Sequence, residues 1–326
     1  MIEEYSSERA LDFYADNYDI VGQWVLKHGE PTIVVGDTKS RRCRFCGLSA
    51  PQVTFKKQAH AIPEMLGNRT LLSAHECDDC NDAFGRGIEN QFGYWSKPSR
   101  LFARTKGKSG IPTIKQGPDG GWRIEPRDTG IEMMHGAENA VMDVDEAAKT
   151  LTFRINRDSY VPIAVLKALV KMGLSLIPDA NVADFRTAFA WIKDADHRNE
   201  ISMAQSVLWT FVPGPTAGNT ISLLVLRRKN DFLKLPFMMF NLRYGNDSFQ
   251  ILLPSPEKDW AIAGSSIGLP PFPVSVDDNP ALHGQPIRRR VDLSGSAVVT
   301  GEEVTIQATY DEPKKLDPEV ESVIDH

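Results

Sequence analysis

Four cysteines in a chain of 326 residues constrain its folding most, because they form two C-x-x-C pairs with 30 residues between the pairs. The pairs are Cys43 with Cys46 and Cys77 with Cys80. In a reducing compartment, thiols at this spacing bind a metal more often than they form disulfides. Two such pairs supply the four thiolates of a closed, tetrahedral zinc site. The sequence therefore predicts a zinc-stapled module, with a redox pair or unligated cysteines as alternatives.

Neither an export signal nor a membrane span is indicated by the sequence. The first 19 residues are acidic and mixed, whereas a secretory signal is basic and then apolar. No uncharged apolar run approaches the roughly 18 to 20 residues needed to cross a bilayer. The composition, 41% hydrophobic and 25% charged, is typical of a soluble globular protein. We therefore expect a cytoplasmic protein with no membrane partner.

The net charge of −6 conceals a strongly uneven distribution along the chain. Residues 39–115, which contain all four cysteines, carry 14 basic and 6 acidic side chains, a local balance of +8. The segments before and after carry −6 and −8. Because a polyanion binds to a basic surface, only the cysteine-containing segment is expected to contact nucleic acid.

Hydrophobic patterning predicts an α+β protein in five parts. An acidic helical segment spans 1–38, a zinc module with a basic arm spans 39–115, and an exposed linker with at most short strands spans 116–149. An α+β domain spans 150–310, and an unstructured tail spans 311–326. In the first two parts we expect one helix over 7–28, a strand hairpin within 53–62, a helix opened by Cys77, and a loop or hairpin over 97–115.

The second half of the chain alternates in the way that strands do. A strand is expected over 151–158, a buried helix over 161–178 and a second helix over 182–193. Four further strands are expected within 206–212, 221–228, 235–244 and 248–254. This order predicts a mostly antiparallel sheet that carries two helices.

The residues between and around the two cysteine pairs resemble those of an HNH endonuclease over about residues 40–95. The resemblance rests on the two C-x-x-C pairs together with Ala59-His60, Ile62-Pro63-Glu64, Leu66-Gly67-Asn68 and Glu76-Cys77-x-x-Cys80-Asn81. It implies a ββα-metal, treble-clef module of the four-cysteine zinc type. The segment is also similar to the N-terminal nuclease module of bacterial anti-phage HNH effectors, some of which carry a nucleotide-sensing domain behind it.

The resemblance implies three catalytic residues. His60 would be the general base that takes a proton from the attacking water, which suits an imidazole with a pKa near neutrality. Asn81 would hold a divalent cation, Mg²⁺ or Mn²⁺, next to His60. Asn68 would be the middle residue of the motif, which orients the loop and the base.

One departure from the family pattern concerns the metal ligands. Many relatives have Asp directly before the catalytic histidine, and this chain has Ala59. Glu64, Glu89 and His75 are candidates to complete the catalytic metal site. The alternatives are a solvated or capping carboxylate for each glutamate and an ordinary loop histidine for His75.

Basic residues around the motif are candidates for a DNA-binding track, although a run of charge is also typical of a solvated face. They are Arg41, Arg42, Arg44, Lys56, Lys57, Arg69, Arg100, Arg104, Lys106 and Lys108, with Arg86 nearby.

The leading hypothesis is a metal-dependent endonuclease that cuts DNA in its N-terminal half, with the C-terminal half serving as sensor, specificity or oligomerisation domain. A homo-oligomer and a nucleotide activator are further expectations, the second by analogy of architecture only. The alternative from another class is a non-catalytic zinc module that docks DNA or protein.

Overall fold

The computed structural model describes residues 6–116, 122–127, 130–134, 142–197, 201, 206–214, 220–265, 267–274 and 284–309. The elements of the first half are α1 (Ser7–Asn17), β1 (Tyr18–Leu26), β2 (Ile33–Val35), β3 (Leu71–Ser73), α2 (Asp78–Arg86), α3 (Ile88–Phe102), β4 (Ile114–Gln116), β5 (Trp122–Arg127), β6 (Gly130–Met134) and β7 (Met142–Asp145). The expected tail at 311–326 lies outside the described residues.

The second half supplies most of the main sheet. Its elements are β8 (Thr150–Asn156), α4 (Pro162–Leu176), α5 (Arg186–Lys193), β9 (Ser206–Phe211), β10 (Ile221–Arg228), β11 (Met238–Tyr244), β12 (Asp247–Leu253), α6 (Pro256–Asp259), β13 (Ile287–Asp292) and β14 (Glu303–Thr309). Short 3₁₀ helices lie at Glu64–Leu66, Asp179–Phe185 and Trp260–Ile262. The α+β class and the mostly antiparallel pairing are as predicted.

A six-stranded antiparallel sheet with the order β1-β10-β11-β12-β9-β13 forms the centre of the fold. Its four inner strands are those expected between residues 206 and 254. Two three-stranded sheets, β14-β8-β7 and β4-β5-β6, lie beside it, and β2 pairs with β3 in parallel. The segment expected as a linker with at most short strands contributes the short strands β5 to β7, and β4 begins just before it, at Ile114.

The prediction of one helix over 7–28 was wrong, because residues 18–26 form the edge strand β1. The helix begins after Ser6, whose hydroxyl accepts a hydrogen bond from the Arg9 backbone N–H, and it ends at Asn17. The next residues, YDIVGQWVL, pair with β10. Their β-branched side chains favour a strand, and a partner about 200 residues away decides the outcome.

Two other local predictions were wrong. Residues 53–62 form no strand hairpin, and within that stretch His60 makes an isolated antiparallel bridge to Leu72. Residues 97–102 are helical, because α3 continues through Pro98 to Phe102. The buried Trp95 and Leu101 on this helix stabilise the extension, and a turn closed by hydrogen bonds between Gly107 and Gly110 follows it.

Helix α4 confirms the predicted buried helix, since all 15 of its residues are buried. It packs on β11 and β12 on one side and on α3 and α5 on the others. The expected second helix is a 3₁₀ turn that leads into α5. Within the described part of the chain, no helix combines the length and apolar character needed to cross a membrane.

The contact between α4 and the sheet leaves no room at Gly173. A Cβ atom there would lie 2.5 Å from Leu253 Cδ2 and 3.0 Å from Phe240 Cβ.

We expect Gly173→Ala to lower the free energy of unfolding by about 1–3 kcal/mol through overpacking. Urea denaturation measures the change. Gly85→Ala is the matched control, because the Gly85 site on α2 is open. That change should be neutral or stabilise by up to about 1 kcal/mol, and equal effects at the two sites would contradict the packing described.

Candidate metal centre and active site

The four cysteines converge on one point. Their Sγ atoms all lie within 4.8 Å of one another, and Cys46 Sγ lies 3.8 Å from Cys77 Sγ. A tetrahedral zinc site with Zn–S bonds of about 2.3 Å has sulfur–sulfur distances of about 3.8 Å. The cluster therefore has the donors and the spacing of a structural zinc site, as the sequence predicted.

The backbone around the first pair forms a tight knuckle. The Gly47 N–H donates to the Cys43 carbonyl at 2.8 Å, and the Cys43 N–H donates to the Leu48 carbonyl at 2.9 Å. Gly47 has a φ of +75°, which glycine adopts without steric cost. The second pair lies at the start of α2, where the Asn81 N–H donates to the Cys77 carbonyl at 2.9 Å.

Without a cation, the thiols ionise unequally. A hydrogen bond with Cys80 lowers the pKa of Cys43 to about 4, whereas burial raises the pKa of Cys77 to about 11. The pKa of Cys80 is raised, first by its hydrogen bond with Cys43 and then by burial. Further thiolates are therefore unfavourable beside Cys43 without a positive charge, which Zn²⁺ supplies.

His60 lies between the two cysteine pairs in sequence and is held by main-chain bonds to β3. The Ser73 N–H donates to the Ala59 carbonyl at 2.8 Å, and the Ala61 N–H donates to the Leu71 carbonyl at 3.2 Å. The imidazole is 16% exposed, and its Nε2 lies 3.9 Å from Glu64 Oε2. Among the described residues its buried Nδ1 has no hydrogen-bond partner.

The surroundings of His60 favour the neutral imidazole. Burial lowers the pKa of His60, and the nearby carboxylates of Glu64 and Glu89 oppose that effect. Lys171 and Lys108 are also close enough to lower the pKa of His60. An imidazole that is neutral at neutral pH can accept a proton, which is what a general base must do.

Asn68 is completely buried, and its side chain makes hydrogen bonds to nearby main-chain groups. Its side-chain amide donates to the carbonyls of Ile62 at 2.6 Å and Leu71 at 2.9 Å. Its Oδ1 accepts from the backbone N–H groups of Leu71 at 2.9 Å and Thr70 at 3.2 Å. These bonds close the loop between His60 and β3, so Asn68 acts on the position of the loop.

The candidate ligands of a catalytic cation lie on different elements, and Glu64 is the one in contact range of His60. Asn81 is half-buried on α2, and Glu64 faces the imidazole. Glu89 Oε1 accepts a hydrogen bond from Lys171 Nζ at 2.9 Å. In the part of the chain that the structure describes, the four cysteines form the one group of three or more His, Cys, Asp or Glu side chains spaced for a metal. A cation at His60 would thus take few protein ligands.

His75 belongs to a contact between the knuckle and the C-terminal region. Its Nε2 lies 3.1 Å from Asp179 Oδ1, to which the Arg44 guanidinium also binds at 2.8 Å. The imidazole lies against Gly36, where a Cβ would be 2.3 Å from Nε2. This placement fits the loop-histidine alternative.

Two of the predicted DNA-binding arginines are buried and donate hydrogen bonds to main-chain carbonyls inside the protein. The Arg44 side chain is 3% exposed and donates to the Leu174 carbonyl as well as to Asp179. Arg100 is buried and donates to the Gly93 carbonyl at 2.7 Å. Their guanidinium groups are therefore unavailable to DNA, which corrects the expectation for these two residues.

Most of the other basic residues are on the surface. Arg104 is half-buried, and its guanidinium donates to the Gly130 carbonyl. Lys57 is exposed and pairs with Asp82 at 2.6 Å. The remaining exposed candidates are Arg41, Arg42, Lys56, Arg69, Lys106 and Lys108.

The loop after α3 brings part of this charge to His60. Gly107 lies so close to Met65 that a Cβ on it would be 2.9 Å from the Met65 Cα. Arg69 donates to the Gly107 carbonyl at 3.0 Å. Lys108, on this loop, is near enough to His60 to lower its pKa. Lys108 thus lies near the candidate active site, and Arg69 is bound to the same loop.

Sequence reasoning missed Lys171 and Glu76, both completely buried, whose charged groups lie 2.9 Å apart. A lysine in an apolar helix gives no local signal of its partner. The only hint in the sequence was Glu76 itself, a carboxylate directly before Cys77.

Residues 43–94 match the HNH endonuclease family. The matched segment, called the HNH domain below, contains both cysteine pairs, His60, Asn68 and Asn81, and is similar to an HNH endonuclease domain. No curated protein and no solved structure matches the chain.

The geometry of the cysteine cluster predicts one tightly held zinc ion per chain. Cys80→Ser should lose most of that zinc and several kcal/mol of folding free energy, because the closed site loses a thiolate. Metal analysis of the purified protein and thermal unfolding measure both. Asp79→Ala, an exposed carboxylate between Cys77 and Cys80, is the matched control and should retain the zinc. Full zinc occupancy in Cys80→Ser would contradict the assignment.

Proposed function

We propose that the protein is a metal-dependent HNH endonuclease that hydrolyses phosphodiester bonds in DNA. The observation that carries the proposal is the His60 imidazole, half-buried and neutral, fixed to β3 inside the segment that matches the HNH family.

His60 would act through Nε2, because Nδ1 is buried. Nε2 takes a proton from water, the water oxygen forms a bond to phosphorus, and the bond from phosphorus to the 3′-oxygen breaks. Asn68 contributes by holding the loop that carries His60 at a fixed distance from β3. The developing imidazolium is stabilised by the carboxylate of Glu64, 3.9 Å away.

A divalent cation, Mg²⁺ or Mn²⁺, when bound would stabilise the negative charge on the phosphate and on the departing oxygen. We assign the Asn81 side-chain oxygen and the Glu64 carboxylate as the protein ligands of this cation. Ala59 offers no side-chain donor, so phosphate and water oxygens would complete the coordination.

The DNA backbone would lie along the exposed basic residues. Lys106 and Lys108 extend from the loop that packs on the turn after His60, and Arg69 is tied to the same loop. Arg41, Arg42 and Lys56 are exposed on the knuckle side. Arg44 and Arg100 are not part of this track, because their side chains are buried.

The C-terminal region would control the nuclease domain. In support, Phe45 of the knuckle packs edge-to-face on Phe189 of α5 at 5.6 Å, and Arg44 binds Asp179. A nucleotide activator, assembly into a homo-oligomer, a role in anti-phage defence and a cytoplasmic location complete the proposal, and they rest on the sequence reasoning alone.

His60→Ala tests the proposal directly. With plasmid DNA and Mg²⁺ or Mn²⁺, we expect the cleavage rate to fall by about 10²–10⁴-fold, the usual contribution of a general base. His28→Ala, an exposed histidine outside the site, is the control and should cut at the wild-type rate.

Unchanged cleavage by His60→Ala would contradict its role as the base. A wild-type protein that holds zinc, binds no exchangeable divalent cation and leaves DNA intact would instead favour the non-catalytic zinc module.

The basic loop gives a second prediction. Lys108→Ala should weaken DNA binding and reduce the salt dependence of the binding constant by about one unit in the log–log slope, because one phosphate contact is lost. Fluorescence anisotropy with duplex DNA at several salt concentrations measures the slope. Lys193→Ala, an exposed lysine at the end of α5, should leave it unchanged. Equal slopes for all three proteins would remove Lys108 from the track.

A further inference from the structure

The two residues inside the first cysteine pair, Arg44 and Phe45, both reach the C-terminal region. The Arg44 guanidinium donates to the Leu174 carbonyl at 2.8 Å and to the Ile177 carbonyl at 3.2 Å, at the C-terminal end of α4. It also binds the Asp179 carboxylate at 2.8 Å. The last carbonyls of a helix have no partner within the helix, so they accept such a donor readily. The middle of the first pair is therefore fixed to the end of α4.

The Phe45 ring makes the second of these contacts. It packs edge-to-face on Phe84 of α2 at 4.9 Å and on Phe189 of α5 at 5.6 Å. Helix α2 begins directly after Cys77. Phe45 thus lies between the helix that carries the second cysteine pair and a helix of the C-terminal region.

Lys171 of α4 makes the third contact, at the second cysteine pair. Its Nζ lies 2.9 Å from Glu76 Oε2, and Glu76 directly precedes Cys77. The same Nζ lies 5.7 Å from the ring centroid of Phe45 and 5.5 Å from that of Phe84, within range of cation–π attraction. One ammonium of the C-terminal region therefore contacts the segments that carry both cysteine pairs.

Glu76 depends on this lysine. Neither the Lys171 nor the Glu76 side chain has exposed surface, so water does not reach the carboxylate. Lys171 Nζ also lies 2.9 Å from Glu89 Oε1, but the Glu89 side chain is 14% exposed and can turn toward water. Removing one partner of a buried ion pair leaves the other charge uncompensated. Loss of Lys171 would therefore displace or strain the segment at Glu76.

Contacts around the ligands of a metal influence how tightly the metal is held. They fix the positions of the ligating atoms, and loss of one such contact typically costs 10–100-fold in metal affinity. At the cysteine cluster, contacts from Arg44, Phe45 and Glu76 end on α4, on α5 or on the turn between them. The segment that supplies the four thiolates therefore has part of its support outside the HNH domain.

We propose that Lys171 is a positioning residue of the zinc site, which holds the segment carrying Cys77 against α4 so that zinc retention depends on the position of α4. Arg44 and Phe45 hold the first cysteine pair to the same region. This inference rests on the zinc assignment and on the control by the C-terminal region included in the proposed function. It gives that control a physical route, because a movement of α4 would loosen the zinc site.

The test is the rate at which the zinc-loaded full chain transfers its metal to an excess of a chromogenic chelator. Lys171→Met should release zinc about 10–100-fold faster than the wild-type protein. Arg44→Met should change the rate in the same direction, because the first pair loses its contact with α4. Thermal unfolding in excess zinc measures the stability of each variant separately, and the release is followed below all the unfolding transitions.

Lys167→Met is the matched control. Lys167 lies one turn earlier on α4 and is equally buried. Its Nζ donates to the Asp194 carbonyl at 2.7 Å and lies 5.3 Å from the ring centroid of Trp191, both on the side of α5. Its replacement should cost stability and leave zinc release at the wild-type rate.

The double variant Lys171→Met/Glu76→Gln separates a lost contact from a stranded charge. It has no buried carboxylate at position 76, so it folds even if Lys171→Met does not, and it still lacks the link to α4. We expect it to release zinc about 10–100-fold faster than the wild-type protein. A return to the wild-type rate would overturn the proposal, because the stranded charge would then be the cause of the release.

The remaining outcomes distinguish this inference from the nuclease function. Wild-type release by Lys171→Met would overturn the positioning role, and so would equal acceleration in Lys171→Met and Lys167→Met, which would follow from lost stability alone. A wild-type protein that holds no zinc would overturn the zinc assignment and the positioning role together. Release that follows the expected order in a protein that does not cut DNA would overturn the nuclease function and support the positioning role.

Discussion

Helix α4 must be covered on every side, and the rest of the molecule is arranged around this requirement. All 15 of its residues are buried, and Gly173 permits the sheet to approach closely. The sheet covers one side, α5 covers another, and α3 of the HNH domain covers a third. Because burial of apolar surface is the main favourable term in folding, the shared core couples the HNH domain to the C-terminal region.

Two sets of hydrogen bonds fix the backbone around His60, and two further features set the helices that follow. Main-chain bonds join its neighbours Ala59 and Ala61 to β3, and Asn68 closes the intervening loop with four hydrogen bonds. The second cysteine pair lies at the start of α2, and the Lys171 ammonium binds Glu89 in the first turn of α3. In the proposed mechanism, a side chain held in this way is ordered before substrate arrives, which lowers the cost of reaching the reactive geometry.

Sequence reasoning succeeded where structure depends on local pattern. The cysteine spacing, the apolar run of α4 and the alternation of β9 to β12 each predict their element without knowledge of partners. It failed at β1, where β10 decides between helix and strand, and at 97–102, where packing of Trp95 and Leu101 overrides a proline. Lys171 was missed because its two partners lie 95 and 82 residues away in sequence.

The pH dependence of single-turnover DNA cleavage tests the central claim, that neutral His60 is the base, most directly. Burial lowers the pKa of His60 below its ordinary 6.5, so the active neutral form persists to lower pH than usual. At saturating DNA and metal, the rate should be flat above pH 7 and fall on acidification, with its midpoint below 6.5. A rate that does not change through this range, or a midpoint well above it, would contradict the account.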